Sequence, residues 1–138
     1  MSIRLATDAE GEKIRDLIVD GYDEACRSFN WNKVYPYWII AETEKDGIVA
    51  CVLTLVGFPT GCIEFLSFKK DIPQTVKALA VKKLAKAALS AIYGAGCSAV
   101  FCTVPFGMTS WKKVMKNHWN GVILTSGNMF FKRLDHGA

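Results

Sequence analysis

An α/β fold in a single domain over residues 1–138 is predicted by three features of the sequence. A capping box opens an amphipathic helix near the N-terminus, a meander of three β-like runs follows, and a long helix then leads into an apolar run typical of a buried parallel strand. Size and composition agree. The 138 residues fit one domain, a 51% hydrophobic content can bury a core, and a 22% charged fraction argues against disorder.

Ile3-Arg4-Leu5-Ala6 is a short β-like start. In Thr7-Asp8-Ala9-Glu10 the threonine and glutamate can satisfy each other's orphan amides, so a helix is expected to begin there. Ile14, Leu17, Ile18 and Tyr22 form its apolar stripe, with Glu12, Lys13, Asp16 and Asp20 turned to water. A second, shorter helix is expected between Asp23 and Asn32.

From Tyr37 the pattern becomes β. The runs Tyr37–Glu42 and Ile48–Val56 flank Asp46-Gly47, a dipeptide that tolerates positive φ and so marks a hairpin. Phe58-Pro59-Thr60-Gly61 punctuates the chain, and Cys62–Phe68 is the third strand of the meander. A long helix is expected from Pro73 or Gln74, with Val81, Leu84, Ala85, Ala88 and Ile92 on one face and Lys82, Lys83 and Lys86 on another, ended by Gly94 and Gly96. The apolar run 98–104 is expected to lie parallel to the third meander strand, completing a β-helix-β crossover. A further helix capped by Thr109 or Ser110 carries Trp111, Val114, Met115 and His118 on one stripe, and Val122–Thr125 and Met129–Leu134 flank a second hairpin signal at Ser126-Gly127-Asn128.

Cys26, Cys51, Cys62, Cys97 and Cys102 are odd in number, and no pair has metal-knuckle spacing. They are expected to be reduced core thiols in a reducing compartment. No window approaches the ~18 apolar residues of a membrane span, and the N-terminus lacks a signal peptide, so a cytoplasmic location without membrane partners is the default expectation. A net charge of +4 favours an anionic ligand but falls short of a dedicated nucleic-acid binder. The only histidines, His118 and His136, form no constellation with other ligands, which argues against a metal site.

The order strand, two helices, three meandering strands, long helix, strand, helix and strand pair, opening on Ile3-Arg4-Leu5-Ala6-Thr7-Asp8-Ala9-Glu10, resembles the GNAT N-acetyltransferase superfamily along nearly the whole chain. It is similar to the divergent members found among small viral and phage sequences. The resemblance implies a mixed, mostly antiparallel central sheet with helices on both faces. It also implies acetyl-CoA as cosubstrate, its pantetheine paired with the backbone of Leu66, Ser67 and Phe68. The pyrophosphate would lie at Gln74, Thr75, Val76, Lys77 and Ala78, where helix N-terminal amides converge. Ser110 on the later helix would add a polar contact.

In the family's pyrophosphate motif, Arg or Gln is followed by small residues at two fixed positions. Here Gln74 matches the first position, while Lys77 and Leu79 occupy the small-residue positions. On the later helix, Gly107, Ser110 and Val114 take the family's asparagine, small-residue and tyrosine positions, so the usual acid is missing. Glu64 resembles the family's catalytic glutamate, a base whose pKa an apolar strand can raise. Its plain alternative is a solvent-facing residue, with Ile63, Phe65 and Ser67 facing one way and Glu64, Leu66 and Phe68 the other.

The lysines at 69, 70, 77, 82, 83, 86, 112, 113 and 116 either grip phosphates or form solvated helix faces. Trp31, Tyr35, Tyr37 and Trp38 either line an acceptor pocket or serve core packing or a homodimer contact. Two functions follow: an N-acyltransferase acting on a small-molecule or protein amine, or a GNAT-fold binding or assembly protein without catalysis.

Overall fold

The computed structural model describes residues 1–21, 38–57, 59–103, 113, 116, 122–123 and 129–134. The expected helix at 23–32 and most of the helix that Thr109 or Ser110 would cap lie outside these residues. Among the described residues the elements are β1 (Ser2–Leu5), α1 (Gly11–Gly21), β2 (Trp38–Thr43), β3 (Gly47–Val56), β4 (Thr60–Phe68), α2 (Gln74–Gly94), β5 (Ala99–Thr103), β6 (Val122–Ile123) and β7 (Met129–Arg133). The strands hydrogen-bond in the order β1-β2-β3-β4-β5-β7-β6. The architecture is the expected mixed, mostly antiparallel α/β sheet. The chain falls into two compact units, Met1–Leu53 with Phe65–Leu84 and Thr54–Glu64 with Ala85–Ala138.

In the first unit, α1 begins where the capping residues stand. Asp8–Glu10 form a 3-10 turn that runs into the helix, and the Thr7 amide donates to Glu10 Oε1 at 2.8 Å. The Arg4 guanidinium grips the same carboxylate with two hydrogen bonds of 2.8 and 2.7 Å and reaches Glu42 Oε2 at 3.0 Å, joining β1, the helix start and β2. Glu10 is lowered to about 2, first by the Arg4 hydrogen bonds, with burial opposing.

The apolar stripe of α1 packs as its spacing predicts. Ile14, Leu17 and Ile18 join Trp38 and Ile40 of β2 and Cys51 and Leu53 of β3 in one cluster, while Glu12, Lys13, Asp16 and Asp20 are exposed. Ile39, Ala41, Ala50 and Val52, pointing the other way, are buried as well. Covering both faces explains why these runs are continuously apolar rather than alternating. Gly47, at φ 68°, closes the β2–β3 hairpin from the left-handed region, and a bulge between Ala41 and Glu42 shifts the register.

In the second unit, Thr60–Ile63 pair in parallel with Ala99–Cys102, the crossover expected from the long helix and the apolar run. β5 pairs antiparallel with β7, and β7 with β6, as the second hairpin signal implied. Gly61, read from the sequence as part of a turn, instead lies inside β4, where a Cβ would come 2.7 Å from Ile92 Cγ2. Its missing side chain lets the C-terminal half of α2 approach the sheet.

The helix ends as the glycines predict. Gly96 takes φ 85°, its amide bonds to the Tyr93 carbonyl at 3.0 Å, and the Cys97 amide bonds to the Ile92 carbonyl at 3.4 Å. Among the described cysteines, Cys51, Cys97 and Cys102 are buried free thiols and Cys62 is half-buried; Cys26 lies outside the described residues. No described helix is long and apolar enough to cross a membrane.

Candidate active site

The first unit brings together the end of β4 and the start of α2. Within β4, Phe65 adopts φ 54°, a left-handed conformation that costs a bulky residue about 1 kcal/mol or more. Packing holds it there. Its ring lies against the wholly buried Trp38, centroids 6.5 Å apart and planes tilted by 46°, and the Ser67 hydroxyl donates to the Phe65 carbonyl at 3.3 Å.

The positive φ interrupts the regular strand conformation at Phe65. Leu66 and Ser67 are consecutive and both buried, at 2% and 1%, whereas Phe65 is only half-buried and packs with the α1 cluster.

Residues 69–73 connect this strand end to α2 through several anchors. The Lys69 amide donates to the Val49 carbonyl at 2.8 Å, its ammonium donates to the Asp46 carbonyl at 2.8 Å, and Lys70 pairs with Asp20 at 3.3 Å. Asp71 turns the chain at φ 61°, and Ile72 is buried. The first turn of α2 then closes with the Lys77 amide on the Pro73 carbonyl at 3.1 Å.

That bond separates the expected phosphate contacts by chemistry. Gln74, Thr75 and Val76 precede the first intrahelical donor, so their amides point out of the helix end, while the Lys77 and Ala78 amides belong to the helix. Lys77 can therefore contribute only its side chain. The first turn contains no acidic residue, so no carboxylate there offsets the positive end of the helix dipole. Gln74, Thr75 and Ala78 are exposed, Val76 and Lys77 half-exposed, and Leu79 is 44% exposed. These residues fit a phosphate held end-on at the helix terminus. The close lateral approach that small residues at positions 77 and 79 would permit is not available.

Glu64 immediately precedes Phe65 in sequence and belongs to the second unit, where it is half-buried. The Cys62 thiol is pushed up by burial first and by the Glu64 charge second. Trp38 goes to the core, which decides its case for packing; Trp31, Tyr35, Tyr37, Ser110, His118 and His136 lie outside the described residues. Lys69, Lys70, Lys82, Lys83, Lys86, Lys113 and Lys116 are exposed. No metal-binding group of histidine, cysteine and carboxylates occurs among the described residues. Phe65 is the site feature that sequence reasoning missed, since nothing in Glu64-Phe65-Leu66 signals a left-handed residue.

Comparison with solved structures places this architecture. The chain is similar to Ard1 from Thermoplasma volcanium, with a TM-score of 0.75 at 11% identity over 98% of each chain. It is similar to a GNAT-family acetyltransferase from Staphylococcus aureus Mu50, with a TM-score of 0.73 at 11% identity over 97% of this chain and 99% of that one. A chain of the NatC complex bound to Gag peptide and CoA superposes with a TM-score of 0.71 at 14% identity, covering 98% of this chain and all of its own 100%. The fold is that of the GNAT acetyltransferases. No protein-family model matches the sequence, and no curated protein does.

Proposed function

We propose that the protein is an N-acyltransferase that moves an acetyl group from acetyl-CoA to an amine. The observation that carries this reading is the first-unit pairing of a kinked strand end, Phe65–Phe68, with an acid-free helix N-terminus at Gln74–Val76. The GNAT fold supports it, and the similar NatC chain is one whose complex binds CoA. Acetyl-CoA would set its pantetheine along the backbone of Leu66, Ser67 and Phe68. Its pyrophosphate would meet the amides of Gln74, Thr75 and Val76, with Lys77 supplying charge beside Ala78, and Ser110 is proposed as a further polar contact.

Glu64 would take the proton from the acceptor amine. The nitrogen then attacks the thioester carbonyl, a C–N bond forms, the C–S bond breaks, and the thiolate leaves with the electron pair. With Val114 at the family's tyrosine position, the thiolate takes its proton from solvent. Acceptor screening with acetyl-CoA tests the reading. Glu64→Gln should lower turnover by roughly 10²-fold at neutral pH and leave acetyl-CoA affinity unchanged, because the base acts on the acceptor. An unchanged rate removes Glu64 from the mechanism.

A second reading, a GNAT-fold binding or assembly protein without catalysis, is favoured by one observation. Lys77 and the exposed Leu79 stand where the family carries small residues. Acetyl-CoA binding without turnover on any amine, or no binding at all, selects this reading.

A further inference from the structure

We draw no further inference here: the strongest candidate, the exposed lysine face of α2 formed by Lys82, Lys83 and Lys86, carries no docking proposal because nothing in the structure shows which anion covers it, and Lys77 at the head of the same helix belongs to the site already described.

Discussion

Replacing Glu10 by Gln removes a charge while keeping the shape that fills its place, so it isolates the electrostatic share of the Arg4–Glu10 lock. Both carboxylate oxygens accept from Arg4, and Oε1 also accepts from the Thr7 amide and hydroxyl at 2.8 and 2.9 Å. A carboxyl lowered from its ordinary 4.5 to about 2 is worth about 3 kcal/mol to the native state at neutral pH if nothing screens it. The Arg4 side chain is 36% exposed, and water over it reduces the expected loss to about 1–2 kcal/mol. Because the folded pKa is depressed, this stability is fully present above about 4.5 and is lost as pH falls toward 2. Urea unfolding of both proteins across pH should show a constant gap above about pH 5 that closes toward pH 2. Equal stability at pH 7, or a gap that stays flat down to pH 2, refutes the lock.

Gly61→Ala would set a methyl group 2.7 Å from Ile92 Cγ2 and 2.9 Å from Cγ1, atoms that move only if this β-branched helix residue leaves its rotamer. It should cost about 1–3 kcal/mol in denaturant unfolding, with part recovered in the Gly61→Ala/Ile92→Ala double variant; additive losses would refute the contact. Thr54 is 3% exposed, and its hydroxyl has no hydrogen-bond partner among the described residues. Thr54→Val should therefore raise stability by about 1 kcal/mol, and a clear loss would show that the hydroxyl is satisfied after all.

Local chemistry explains which parts of the fold were legible in the sequence. The Thr7–Glu10 box, the Ile14–Leu17–Ile18 stripe, the Asp46-Gly47 hairpin and the Gly96 helix stop each depend on residues within one or two turns, and each forms where the spacing places it. What escaped is long-range. Gly61 resembles a turn residue until Ile92 is brought over it, and Arg4 gives no hint that it will join Glu10 and Glu42. The left-handed Phe65 escaped for the same reason. Phenylalanine has no local preference for positive φ, and packing on Trp38 sets that conformation. For the candidate site, the helix N-terminus at Gln74 was legible from Pro73 and the spacing behind it. The positive φ of Phe65 in the strand before it was not.

Calorimetric titration with acetyl-CoA, read beside the thermal midpoint, tests the proposed activity most directly, because it asks only whether the strand end and helix terminus of the first unit hold the cosubstrate. One saturable site is expected. Its affinity should fall as salt rises and by roughly tenfold in Lys77→Ala, and ligand at about 100 times Kd should stabilise the fold by about 2.7 kcal/mol. No heat and no shift in midpoint at about 1 mM acetyl-CoA, with the protein folded, would contradict the acyltransferase reading.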